Sequence, residues 1–74
     1  MFPSDILTLF PLPDNKEVVR DFSLKGKNLK VSLLGSGNEI HQMFIYVNGN
    51  VALERIKVSK DVANYAYEDF IKEL

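Results

Sequence analysis

The chain contains no cysteine, and its only histidine is His41. Without cysteine, neither a disulfide bond nor a thiolate metal site can form, and this lack fits a reducing compartment. Neither a cysteine nor an acidic cluster lies near His41 in the sequence, so nothing marks that side chain as a metal ligand or a general base. We therefore expect no catalytic residue, no metal, no cofactor and no enzymatic activity.

Long apolar runs are also missing. No stretch approaches the roughly 20 apolar residues that a membrane-spanning helix requires. The amino terminus lacks the basic segment, apolar run and small-residue cleavage site of a signal peptide. We therefore expect no membrane association and a cytoplasmic location.

The composition is that of one small globular domain, residues 1–74, with 46% hydrophobic and 26% charged residues. A domain of this size buries only about 60% of its unfolded surface, so its core must be thin. The net charge of −1 hides an uneven distribution. Residues 16–34 carry five basic and two acidic side chains, whereas residues 60–74 carry four acidic and two basic ones.

Residues 1–13 form an apolar arm interrupted by three prolines. Ser4 or Asp5 could cap a single helical turn that Pro11 would end, or the arm could lie extended across the sheet. Its apolar side chains either cover the core or dock on a partner or a second copy of the chain, and Phe10 is the candidate for docking. Residues 14–16 predict a polar turn.

Alternating apolar and polar residues predict an antiparallel sheet over residues 17–58. Val18, Phe22 and Leu24 share one face of the first strand, and residues 29–33 alternate in the same way. Such alternation is typical of a sheet with one buried face. The cluster Lys25–Asn28 predicts the turn between these two strands, and residues 35–38 predict a flexible connection to a second hairpin.

The strongest local signal is the Asn-Gly pair at 48–49, which lies between two apolar stretches and predicts the turn of the second hairpin. A two-residue turn would pair Val47 with Asn50, whereas a three-residue loop would pair Val47 with Val51. We favour the loop because it matches apolar with apolar. The register also decides whether Tyr46 faces the core or an exposed surface.

Farther from the turn, the three-residue register pairs Ile45 with Leu53. The apolar positions then change parity before Ile56. A β-bulge near Glu54–Arg55 would explain this change.

The last segment, residues 60–74, predicts an amphipathic α-helix with Ser59 or Asp61 as its N-cap. We expect its apolar stripe to cover one face of the sheet. Its predicted solvent face contains Asn64, Glu68, Asp69, Lys72 and Glu73. The predicted fold is therefore α+β: a four-stranded antiparallel meander, a carboxy-terminal helix on one face, and a short amino-terminal apolar segment.

The absence of a chemical motif, the acidic ends and the apolar arm favour a small protein-binding module. An inhibitor, an adaptor or an immunity-type protein, such as phages and mobile elements encode, would fit. The acidic helix face could meet a basic surface, and the arm or a sheet edge could bind a partner or close a homodimer. The candidate partner-binding residues are Glu68, Asp69, Glu73 and Phe10.

The alternative function is single-stranded nucleic-acid binding. The basic segment carries Lys25 and Lys27 at a hairpin tip and Lys30 on the expected outer face of the sheet. An exposed Tyr46 or Phe44 could stack on bases while the lysines contact phosphates.

The first hairpin also resembles a known family. Residues 19–22, Val-Arg-Asp-Phe, followed by Lys25-Gly26-Lys27 and Leu29, are similar to the first hairpin of the positive-cofactor-four transcriptional coactivators, with a two-residue insertion at 23–24. Residues 55–59 match the family's last strand only loosely. The resemblance implies four strands followed by a helix, a dimer, and single-stranded DNA binding across the sheet. It implicates Arg20, Lys25, Lys27 and Lys30.

Overall fold

The computed structural model describes residues 5–74. A 3₁₀ turn, Leu7–Leu9, precedes four strands and one α-helix: β1 (Leu12–Leu24), β2 (Lys27–Gly37), β3 (Glu39–Val47), β4 (Asn50–Ser59) and α1 (Lys60–Lys72). The strands form one antiparallel sheet in chain order, and α1 packs against it. The predicted α+β fold is confirmed. The helix of the described segment is too short and too polar to span a membrane.

Within its described residues, the amino-terminal arm forms a single helical turn at Leu7–Leu9, so the extended alternative is wrong for this part of the arm. The carboxylate of Asp5 accepts a hydrogen bond of 3.0 Å from the Leu7 N–H. Ser4, the other predicted cap, lies outside the described residues. Ile6 is buried, and its N–H donates a 2.9 Å hydrogen bond to the Asn64 side-chain carbonyl on α1. The arm is thereby fixed to the helix.

Asn64 corrects one prediction, because it is buried and does not lie on the solvent face of α1. Its Oδ1 accepts the Ile6 N–H, and its Nδ2 donates to Glu68 at 2.9 Å. A buried backbone N–H needs an acceptor, and Asn64 supplies it. Ser59, and not Asp61, caps α1, since its hydroxyl accepts the Val62 N–H at 3.4 Å.

The predicted polar turn at 14–16 is wrong, and the predicted connection at 35–38 is shorter than expected, because β2 continues to Gly37 and only Asn38 separates it from β3. Strand β1 already begins at Leu12, which pairs with Gly37, and a bulge follows before Lys16 pairs with Gly35. Asn15 in this bulge has a φ of 54°, which asparagine tolerates better than most residues. Polar residues that predict a loop therefore form a distortion inside a strand.

The second hairpin combines both predicted registers. Val47 pairs with Asn50, so the turn is the two-residue one, and the favoured pairing of Val47 with Val51 is wrong. Ala52 then has no paired residue on β3, and Ile45 pairs with Leu53, which is the pairing that the three-residue loop predicts. The bulge thus lies at residue 52 and not near Glu54–Arg55. Both turn residues have positive φ angles, 51° and 86°, as a tight hairpin needs.

The parity change in β4 has a second cause. Lys57 has a φ of 55°, and it lies opposite His41, which the register to β2 leaves unpaired. The two irregular residues turn Ile40 and Val58 toward the core, and Ile56 remains 53% exposed. His41 is exposed within this distortion.

The core lies between one face of the sheet and a layer made of the arm and α1. Its members come from both layers: Ile6, Leu12, Val31, Leu33, Ile40, Met43, Ile45, Ala63 and Tyr67. The opposite face of the sheet, called the open face below, carries the outward residues of each strand. Antiparallel sheets commonly expose one face in this way.

Substitution of Gly35 tests the sharp β2–β3 connection. A Cβ at Gly35 would lie 2.2 Å from the Glu39 carbonyl oxygen, which is backbone and cannot turn away. We expect Gly35→Ala to lower the free energy of unfolding by about 3 kcal/mol in urea titrations. The control Gly37→Ala has open space around its Cβ and only a φ of 60° to oppose it, so it should cost about 1 kcal/mol. Equal losses in both variants would contradict the assigned contact.

Ionisation of the Tyr67 phenol makes the free energy of unfolding depend on pH in the alkaline range. Burial, with a smaller contribution from the Asp5 carboxylate, raises the pKa of Tyr67 to about 12. The folded state therefore holds the phenol proton more tightly than the unfolded chain, whose tyrosine pKa is about 10. The contribution of Tyr67 to the free energy of unfolding is therefore constant below pH 10 and should fall by about 2–3 kcal/mol as the pH rises to about 12.

Urea midpoints measured between pH 8 and 12 check this expectation. Tyr67→Phe should lose this part of the pH dependence, whereas Tyr65→Phe, at a tyrosine that is 75% exposed, should retain it. An unchanged alkaline loss in Tyr67→Phe would contradict the assignment.

Candidate protein-binding groove

A groove of about 320 Å³ lies between α1 and the edge strand β4. Its apolar lining comes from both elements: Leu53 from β4 and Val62, Ala66 and Phe70 from α1. Charged and aromatic residues complete the lining: Arg55, Tyr65, Asp69 and Glu73. Its volume lies at the lower limit of small-molecule pockets, about 300–1,000 Å³, and suits a few side chains of a partner.

The groove forms where α1 packs against β3 and β4. Ala63 and Tyr67 face the core and are fully buried, whereas Val62 and Tyr65 are 53% and 75% exposed. Two of the five exposed large apolar side chains in residues 5–74, Val62 and Tyr65, line this groove, whereas Val51 and Ile56 pair with outward residues of β3 and lie on the open face. Exposed apolar side chains that line a groove are typical of interaction sites.

Two predicted partner-binding residues line this groove. Asp69 lies on α1, and Glu73, four residues later, is the C-cap of the helix and keeps a helical backbone conformation, so the two side chains project from the same side. Within residues 5–74, neither side-chain carboxylate takes part in an ion pair or a hydrogen bond. Both carboxylates are thus available to a cationic partner.

The other two predicted partner residues lie elsewhere. Glu68 accepts the hydrogen bond from Asn64 and lines a smaller depression beside the groove, together with Tyr65, Asp69 and Lys72. Phe10 is half-buried and packs against the core, so it does not line the groove.

Tyr65 was missed by the sequence analysis, although it is the most exposed large apolar side chain in the described part of the chain. The available signal was an aromatic residue outside the helix's apolar stripe. A large ring that does not enter the core is enriched at interfaces, where it supplies apolar area at low entropic cost.

The predicted nucleic-acid residues do not come together on one surface. Lys30 and Tyr46 are paired in the register and share the open face, whereas Arg20 pairs with Val31 on the face toward the core. Lys25 lies in the first turn, and its ammonium donates to the backbone carbonyl of Leu74. Lys27 is exposed at the start of β2.

The open face carries an aromatic pair and one lysine. The Lys30 ammonium lies 4.7 Å from the Tyr46 ring centroid, and the Phe44 and Tyr46 rings are 6.1 Å apart. Three carboxylates share this face, because Glu17, Asp21 and Glu54 pair with outward residues of neighbouring strands. The face therefore has more negative than positive side chains.

Both edge strands carry an arginine that binds its own backbone. Arg20 on β1 donates to the Val19 carbonyl at 2.9 Å, and Arg55 on β4 donates to the Glu54 carbonyl at 2.7 Å. An incoming strand needs such edge carbonyls as acceptors, and charged residues on edges oppose strand addition. The two arginines thus protect the edges of the sheet.

Removal of both arginines should increase self-association. We expect Arg20→Met/Arg55→Met to associate at about tenfold lower concentration than the wild-type chain, as measured by light scattering across a dilution series. Lys30→Met/Lys60→Met loses the same charge without touching an edge carbonyl and serves as the control. Unchanged mass in the arginine variant would contradict the protective role.

Comparison with protein-family models, with curated proteins and with solved structures finds no match to this chain. The order of four strands and a helix implied by the resemblance to the positive-cofactor-four coactivators is present. The DNA binding and the dimer that it implies remain predictions from a short segment.

Proposed function

We propose that this protein is a small non-catalytic protein-binding module that binds its partner in the groove between α1 and β4. The observation that carries the proposal is the combination of an apolar floor with two carboxylates beside it, Asp69 and Glu73, which are unpaired within residues 5–74. Burial of apolar side chains supplies affinity, and the charges orient the partner. Such a module acts as an inhibitor or an adaptor.

The apolar lining supports a protein partner in particular. Val62 and Tyr65 are largely exposed in the free chain, and Phe70 is only half-buried. A partner side chain placed between them would remove all three from water. Each 100 Å² of apolar surface so buried contributes about 2.5 kcal/mol before the costs of association.

Single-stranded nucleic-acid binding is the second candidate function. It is favoured by the Lys30 ammonium over the Tyr46 ring and by the adjacent Phe44 ring, since aromatic rings on an exposed sheet stack on bases. The carboxylates of Glu17, Asp21 and Glu54 on the same face repel phosphates. This charge balance supports the protein partner over the nucleic acid.

Site-specific photo-cross-linking tests the proposal. A photoreactive phenylalanine at position 62, inside the groove, should give a discrete adduct with another protein in cells of the natural host. The same residue at position 8, which is exposed outside the groove, should give no adduct. Leu53→Lys, which places a charge on the groove floor, should weaken partner binding at least tenfold, or about 1.4 kcal/mol.

Circular dichroism confirms that each variant is folded before it is compared. Equal adducts from positions 62 and 8, or an adduct unaffected by Leu53→Lys, would contradict the proposal. Labelled single-stranded DNA provides the opposing measurement. Salt-sensitive micromolar binding that Lys30→Glu abolishes and Lys60→Glu preserves would favour the second candidate.

A further inference from the structure

Tyr65 and Asp69 form a ridge shared by two neighbouring depressions. Both residues line the groove against β4, and both line the smaller depression that contains Glu68 and Lys72. Because they are four residues apart on α1, their side chains are neighbours on the helix surface. An exposed aromatic ring therefore lies beside a carboxylate without a partner in residues 5–74.

We propose that Tyr65 and Asp69, with Glu73, bind a lysine or arginine side chain of a partner protein whose adjacent apolar residue enters the groove. This inference rests on the proposed function and specifies the chemistry of the partner. It identifies a basic, apolar segment as the occupant, and Tyr65 as the recognition residue that the sequence analysis missed.

The chemistry of the ridge fits a cation. The face of an aromatic ring attracts ammonium and guanidinium groups, and arginine stacks on it with particular ease. The Asp69 carboxylate supplies the opposite charge, and Glu73 extends the acidic side by one helical turn. A neutral or acidic segment would leave both carboxylates unpaired against apolar surface.

The basic residues near the ridge do not satisfy it. Arg55 lies on the opposite wall, and its guanidinium donates to the Glu54 carbonyl. Lys72 lines the smaller depression, but within residues 5–74 its ammonium has neither an ion pair nor a hydrogen bond. The attraction of the carboxylates is therefore left for an external cation.

The partner binds through its side chains and not by strand addition. An added strand at the β4 edge would compete with Arg55 for the Glu54 carbonyl. Regular pairing along β4 is also limited by the bulge at Ala52 and by the positive φ of Lys57. Only residues 53–56 lie between these distortions, which is short for strand addition.

Peptide display on the wild-type chain tests the proposal. A library of random peptides should enrich sequences in which lysine or arginine adjoins a leucine, phenylalanine or similar residue. Calorimetry of an enriched peptide should show about tenfold weaker binding to Asp69→Asn and to Tyr65→Leu. The control Glu39→Gln loses the same charge from an exposed carboxylate on β3 and should bind as the wild type does.

The outcomes separate this inference from the proposed function. Peptides that contain no basic residue, bind the wild-type chain and lose affinity for the Leu53→Lys variant would overturn the cation site and leave the groove as a protein-binding site. Peptides that retain affinity in both Leu53→Lys and Asp69→Asn would overturn both proposals. Equal losses of peptide affinity in Asp69→Asn and Glu39→Gln would show that only the net charge matters, and would overturn the cation site on the ridge.

Discussion

The constraint on which the structure depends is that one thin core must be covered from one side of a single sheet. Tyr67 and Ala63 of α1 pack over the sheet, and Ile6 of the arm fills the space beside them. One buried hydrogen bond, from the Ile6 N–H to Asn64, holds the two covering elements together. A chain of this size has little other apolar surface with which to stabilise its fold.

The candidate site follows from that constraint. Because α1 packs on β3 and β4 through its core-facing side, part of its surface beside β4 stays uncovered. Val62 and Tyr65 are exposed there, and Asp69 and Glu73 follow on the next turns of the helix. The helix is apolar over more than its core-facing side. The narrow sheet does not cover this additional apolar surface, which forms one wall of the groove.

The edges and the open face of the sheet carry charged side chains that oppose particular kinds of partner. The two edge strands each use an arginine to engage a backbone carbonyl, at Val19 and at Glu54. The open face surrounds its aromatic pair with carboxylates, which oppose polyanions. These features oppose strand addition at the edges and polyanions on the open face.

The residue pattern predicted much of the architecture because alternation and helical periodicity are local properties. The turn at Asn48–Gly49 and the helix after Ser59 were recognisable from a few neighbouring residues each. The acidic residues Asp69 and Glu73 were also identifiable as a possible contact surface. The groove was not identifiable from the sequence, because its two walls come from different elements.

By itself, the sequence determined the kinds of elements, their order and the antiparallel sheet with a helix on one face. Only the tertiary structure decided the bulge at Ala52, the burial of Asn64 and the exposure of Tyr65. Each of these depends on which surfaces meet: β3 selects the register of β4, the arm draws Asn64 inward, and the narrow sheet leaves Tyr65 without a covering layer. Local periodicity carries no information about such contacts, because they join residues that are distant in the chain.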